Sequence, residues 1–203
     1  MVAVITGASG GLGRELAGQL AAKGWHLLLT ARRAGQLEAL AAELRAAHGE
    51  AVQVCPADLY RPEEVDALLR ACADLPVGLV INNAGAGQIG ASSDIPWEAE
   101  EALLTANMLA PCRLTKAFAA DLRPNVQVNA IGPTITYTPM MVGILPPDEN
   151  VRNGIAGSLP AMRIGYEIDL VPLALLLAPP PPALVTRPDE RPVRNACRSP
   201  RST

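Results

Sequence analysis

An apolar run, Val2–Thr6, passes directly into a turn that holds Gly7, Gly10, Gly11 and Gly13. The turn opens a segment with Leu12, Leu16, Leu20 and Ala21 at helical spacing, which Gly24 stops. A buried strand, a tight glycine turn and a helix is the arrangement that satisfies all three patterns. The alternation then repeats: apolar runs at 25–30, 51–55, 77–81 and 126–131 are separated by helix-period segments over 33–48, from Pro62, and over 98–122. Short apolar runs alternating with helices are the pattern of βαβ units and a parallel sheet. The segment 166–177 reads as a last helix that Pro172 should kink or split into two short pieces.

Composition supports a packed domain over most of the chain. The 203 residues are 49% hydrophobic and 18% charged, with a formal net charge of −3. These values exclude a disordered chain or a polyanion binder. Thirteen of the 19 prolines fall after residue 130, however, so the expected organisation is a domain over 1–178 and a Pro- and Arg-rich disordered tail over 179–203. Cys55, Cys72, Cys112 and Cys197 form no CxxC pair, and only His26 and His48 could join them, so no metal site is expected. Met1 leads into Val-Ala-Val-Ile-Thr without a basic leader, and no apolar run approaches membrane-spanning length. The expectation is a cytoplasmic protein with neither a membrane nor a nucleic acid as partner.

Glycines between a strand and a helix let a ligand approach the backbone where the first helical N–H groups point outward, which suits a pyrophosphate. Two further turns extend the pattern: Asp58-Leu59 follows the third run, and Asn82-Asn83-Ala84-Gly85 follows the fourth. Together with Thr6-Gly7-xxx-Gly11-x-Gly13, these motifs resemble the short-chain dehydrogenase/reductase family in order and in placement at strand ends. The resemblance covers about residues 1–186, interrupted internally. It implies a doubly wound, parallel-sheet α/β fold of Rossmann type, a three-layer αβα sandwich here shortened by about one strand-helix unit. It also implies hydride transfer between a nicotinamide cofactor and a small-molecule carbonyl or alcohol, in a chain expected to form a homo-oligomer. By the same resemblance Thr6, Gly7, Ser9, Gly11, Leu12 and Gly13 would line the pyrophosphate. Asp58 and Leu59 would meet the adenine, Asn83, Ala84 and Gly85 would lie beside the cofactor, and Pro133, Thr136 and Thr138 would cover the nicotinamide.

Charge argues the choice of cofactor. The second run ends Thr30-Ala31-Arg32-Arg33, with no carboxylate until Glu38. An NAD site usually places an acidic residue there for the ribose hydroxyls, whereas two guanidiniums suit a 2′-phosphate. NADP is therefore expected over NAD; the alternative is a solvated arginine pair at a helix start.

The family's proton-transfer machinery is not found. A Tyr-xxx-Lys dyad is absent: residues four after Tyr60, Tyr137 and Tyr166 are Glu64, Met141 and Leu170, and the only lysines are Lys23 and Lys116. A tyrosine of ordinary pKa near 10 is a poor base at neutral pH, so the missing cation matters chemically. Asn107 resembles the family's relay asparagine and is the one candidate catalytic residue. Between Lys116 and Phe118 the strand carrying the family's serine and the helix carrying its tyrosine and lysine are missing; Ser92 and Ser93 lie on the wrong side of Asn107 to replace that serine. Three readings follow: an NADP-dependent oxidoreductase by descent, a non-catalytic nucleotide-binding or partner-binding remnant, or the product of a deletion and altered reading frame.

Overall fold

The computed structural model describes residues 1–88, 90–121, 128–133, 135–142 and 144–178. Four parallel strands form the main sheet: β1 (Val2–Thr6), β2 (His26–Thr30), β3 (Val52–Val54) and β4 (Val77–Ile81), in the order β3-β2-β1-β4. The helices α1 (Gly11–Ala22), α2 (Ala34–His48) and α3 (Pro62–Cys72) make the crossovers between them. In the middle of β1, Val4 pairs with Leu28 of β2 and with Val80 of β4, while the β1–β4 register shifts between Val2 and Ala3. A strand flanked on both sides and covered on both faces reads as a near-continuous apolar run, and all five residues of β1 are buried, Thr6 with its hydroxyl hydrogen-bonded.

Strand alternation divides the core into two layers. Ala3, Ile5, Leu27 and Leu29 face a cluster with Leu20, Leu37, Leu40 and Trp25, contributed largely by α1 and α2. Val2, Val4 and Leu28 face the opposite cluster, where Val65 and Leu68 of α3 meet Leu114 and Phe118. These layers make the expected three-layer α/β sandwich. Each fully buried leucine among them contributes about 1.5–3 kcal/mol of transfer free energy.

The helix expected over 98–122 is a composite. It comprises α4 (Trp97–Leu104), a π-helical turn over Thr105–Leu109, and α5 (Ala110–Asp121). Ala106, Ala110, Leu114 and Phe118 step inward at every fourth residue, and Arg113 of α5 donates to Asp66 of α3 at 2.7 Å. The π turn keeps this inward row while Asn107, Met108 and Leu109 are exposed.

Two expectations are corrected. The fifth strand, expected over 126–131, is not formed over 128–131, and 126 and 127 lie outside the described residues. Its alternating apolar pattern buries residues only beside another strand, but among the described residues the sheet ends at β4, and Val128 is 69% exposed. The last helix, α8 (Glu167–Leu177), is not split into two short pieces but continues through Pro172. The carbonyl that loses its partner belongs to Ile168, an exposed first-turn residue that water can reach. The expected tail over 179–203 lies outside the described residues.

Between 134 and 166, where sequence patterning is weak, the chain forms α6 (Pro139–Val142), α7 (Glu149–Ser158) and a two-stranded parallel ladder, β5 (Thr136–Tyr137) with β6 (Gly165–Tyr166). The Tyr137 and Tyr166 rings lie 5.9 Å apart across it. At its end Asp169 accepts from both Nη1 and Nη2 of Arg163, each at 2.7 Å, and from the Tyr166 N–H at 2.8 Å. The paired guanidinium bonds and this backbone N–H hold the Asp169 carboxyl down to about 2, and the carboxylate in turn raises the pKa of Arg163.

A depressed carboxylate stabilises the fold above its unfolded pKa and ceases to do so as pH falls through its folded one. The contribution of Asp169 is therefore present above about pH 4 and lost between there and pH 2. In carboxyl NMR titrations Arg163→Ala should move the Asp169 midpoint up towards 3.8. A wild-type Asp169 that already titrates in the ordinary range contradicts this arrangement.

Candidate functional site

The parallel order brings the C-terminal ends of β1, β2, β3 and β4 to one edge, where open α/β sheets bind ligands. The turn after β1 is locked to the turn after β4. Thr6 is 1% exposed, and its Oγ1 accepts from the Asn83 N–H at 3.0 Å and the Ala84 N–H at 2.9 Å. Its hydroxyl in turn donates to the Ile81 carbonyl at 3.3 Å. Asn83 Nδ2 donates back to the Thr6 carbonyl at 3.0 Å. Glycine is required in this junction: a Cβ on Gly13 would stand 2.4 Å from the Gly7 carbonyl oxygen, and Gly7 itself has φ +68.

Above the junction the first turn of α1 is open. It carries no acidic residue, so its N–H groups and the positive end of the helix dipole face no competing carboxylate. Gly10, at the N-cap, has φ −179, an extended conformation that any residue adopts. Its bare face matters more, because the nearest atom to a Cβ there would be Arg33 Nη2 at 3.8 Å.

A cleft of about 740 Å³ runs along this edge. Of the residues expected at a cofactor, Gly7, Ser9, Gly11, Leu12, Arg32, Arg33, Asp58, Leu59, Asn83, Ala84, Gly85, Pro133, Thr136 and Thr138 line it. Thr6 and Gly13 do not; they form the junction beneath. Asn107 is also not on the cleft wall. Its Oδ1 accepts from the Ala86 N–H at 2.9 Å and its Nδ2 donates to the Ala86 carbonyl at 2.8 Å. Both ends of the amide thus grip the segment that follows Asn83-Ala84-Gly85, and Ala86 itself lines the cleft.

Sequence reasoning missed Tyr60, Met140 and Met141, which also line the cleft. The two methionines sit on α6, a four-residue helix with no readable period. Tyr60 is brought to Arg32 because the β2–β3 ladder continues past its strands, with the Cys55 N–H on the Leu29 carbonyl and the Ala57 N–H on the Ala31 carbonyl. Tyr137 and Lys116, the only imaginable substitute for the missing dyad, are not among the lining residues. Lys116 is exposed on α5. Among the described residues no group of His, Cys, Asp or Glu could hold a metal, and no helix is long and apolar enough to cross a membrane.

The sequence model of the short chain dehydrogenases matches residues 1–123. The chain belongs to the short-chain dehydrogenase family. It is 39% identical over 125 residues to a very-long-chain 3-oxoacyl-CoA reductase of Podospora anserina, a match covering 59% of this chain and 37% of that protein. It is 41% identical over 119 residues to nodulation protein G of a Rhizobium species, covering 56% of this chain and 46% of the relative. The chain thus spans less than half the length of these relatives. Among solved structures, a short-chain dehydrogenase from Sphingobium yanoikuyae in complex with NADPH superposes with a TM-score of 0.70 at 29% identity, over 86% of this chain and 83% of that one. As a family member the chain has its fold and its place among oxidoreductases.

The junction under the cleft makes two stability predictions. Thr6→Val strips the half-buried Asn83 and Ala84 N–H groups of their acceptor and should cost about 1–3 kcal/mol in denaturant unfolding. Gly13→Ala should cost a similar amount, about 1–3 kcal/mol, whereas Gly18→Ala, with open space around its Cβ in the same helix, should stabilise by roughly 0.5–1 kcal/mol. Equal effects of the two glycine substitutions would refute the close approach at Gly13.

Proposed function

We propose that this chain is an NADP(H)-binding short-chain dehydrogenase whose line of descent is hydride transfer between NADP(H) and a carbonyl or alcohol substrate. The carrying observation is the pair of guanidiniums at the end of β2. Arg33 Nη2 donates to Ser9 Oγ at 3.1 Å, and Arg32 lies over the Tyr60 ring at 5.2 Å. Both line the cleft, and the residues between Arg33 and Glu38 are uncharged.

The residues present fit the cofactor. The glycine turn and the acid-free start of α1 would take the pyrophosphate, and Arg32 and Arg33 the 2′-phosphate. Asp58 and Leu59 would border the adenine, and Asn83, Ala84 and Gly85 would run alongside. Pro133, Thr136 and Thr138 would lie over the nicotinamide, which supplies the hydride when bound. In this reading Asn107 is a positioning residue that holds Ala86 against the cleft, its amide being committed at both ends.

A second reading, binding without turnover, is favoured by one observation: the sequence has no Tyr-xxx-Lys pair. General acid–base catalysis normally contributes about 10²- to 10⁴-fold, and by the family resemblance this pair is what would supply it. We further propose that the strand-helix unit carrying the serine, tyrosine and lysine is missing between Lys116 and Phe118; the match to the family model ends at residue 123. Coding DNA that holds this unit as a skipped segment would restore the enzyme reading for the gene. The proposed setting is cytoplasmic, the proposed substrate a small carbonyl or alcohol, and the proposed partner a second copy of the chain.

NADPH should raise the melting temperature more than NADH does, and replacing both Arg32 and Arg33 with Ala should weaken NADPH binding by about tenfold or more while sparing NADH. Equal stabilisation by the two nucleotides would remove the NADP assignment. Turnover on simple ketones and secondary alcohols should be undetectable; robust activity that depends on Tyr137 or Lys116 would overturn the second reading.

A further inference from the structure

We infer that Tyr60 is a specificity-determining residue for the nucleotide, holding the Arg32 guanidinium in place to read a 2′-phosphate on the adenosine ribose. The inference deepens the proposed NADP(H) reading and rests on it. An exposed arginine must be immobilised before it can recognise an anion, and its long side chain has much rotamer freedom to lose. A ring that already holds the guanidinium removes part of that cost before the ligand arrives.

Tyr60 is built to be such a support. Its backbone N–H donates to Asp58 Oδ1 at 3.1 Å, and the Arg61 N–H donates to the Asp58 carbonyl at 3.0 Å. The Asp58 N–H donates in turn to Glu64 Oε2 at 2.7 Å, from the first turn of α3. The ring therefore stands on a turn fastened at both ends, between β3 and α3. The guanidinium carbon of Arg32 lies 5.2 Å from its centroid, within cation–π range. The ring contact leaves the guanidinium N–H groups, which bond to no described residue, for an anion in the cleft.

Arg33 is anchored on the other side. Its Nη2 donates to Ser9 Oγ at 3.1 Å, above the bare face of Gly10. Two cations adjacent in sequence repel each other and, unsupported, would each extend into water. Here one is tied to the turn after β1 and the other to the turn after β3, so both remain at the rim of the same cleft. The division of anchors also assigns separate roles: among the described residues Arg33 is held by a hydrogen bond and Arg32 by the aromatic ring.

The test uses the full chain and two adenosine nucleotides that differ by the 2′-phosphate, 2′,5′-ADP and 5′-AMP, titrated by calorimetry. The wild type should prefer 2′,5′-ADP. Tyr60→Leu, which keeps an apolar side chain and removes the π face, should weaken 2′,5′-ADP about two- to fivefold and leave 5′-AMP unchanged. Tyr60→Phe, which retains the ring, should bind both nucleotides as the wild type does and so certify that the turn folds. Because Tyr60 acts through Arg32, Tyr60→Leu should add nothing to Arg32→Ala in the double variant. Equal weakening of both nucleotides by Tyr60→Leu, or no change in either, would overturn the inference while the wild-type preference for 2′,5′-ADP still supports the cofactor reading. A wild type that binds the two nucleotides equally would remove the cofactor reading itself.

Discussion

The cleft depends on one buried hydroxyl. Thr6 Oγ1 receives the Asn83 and Ala84 N–H groups, while Asn83 Nδ2 returns a bond to the Thr6 carbonyl. These bonds join the turns after β1 and β4, elements separated by some 75 residues in sequence, and fix where the glycine turn can lie. Gly13 then packs against the Gly7 carbonyl, a contact no other residue permits. The start of α1 is aimed by this junction, so the residues closest to the motif's centre are structural supports and the binding surface lies one layer above them.

From that junction outward, control passes from hydrogen bonds to charge. The α1 end of the cleft offers backbone N–H groups and a helix dipole with no carboxylate in the first turn. The β2 end offers two guanidiniums held from different turns. Part of the remaining wall is supplied by Ala86, which Asn107 grips through both atoms of its amide. A π turn presents that asparagine without interrupting the inward row from Ala106 to Phe118, which accords with the tendency of π turns to occur at functional positions. The cleft is thus equipped for recognition of a dinucleotide, whereas the proton-transfer pair that its family employs is not in the sequence.

Much of this was legible in the residues. The four strands of the main sheet read as apolar runs because β1 and β2 are buried on both faces, and Gly24 and Gly49 mark the ends of α1 and α2 with positive φ. The glycine, Asp58 and Asn83 motifs led to one sheet edge because parallel crossovers put every strand's C-terminal end there. What could not be read depends on pairings between distant residues. The contact of Arg32 with Tyr60 follows from the β2–β3 register, and β5 with β6 is a two-residue ladder joining positions 136 and 165. The alternating pattern at 126–131 misled because alternation describes what a strand would bury and says nothing of whether a neighbouring strand is present. That Thr6 lies beneath the cleft wall was not legible for a related reason: a motif identifies which residues gather at a turn but not which of them line the cleft.

In the proposed function this edge binds NADP(H) in a single orientation, with the pyrophosphate on the start of α1 and the 2′-phosphate between Arg32 and Arg33. A crystal structure of the chain grown with NADP⁺ tests it most directly. The account predicts phosphate oxygens within hydrogen-bond distance of N–H groups in the turn after β1 and a 2′-phosphate bonded to both guanidiniums, with the Thr6 and Asn83 bonds unchanged beneath. A nucleotide bound away from this edge, or one whose 2′-phosphate points to solvent with Arg32 and Arg33 disengaged, would contradict it.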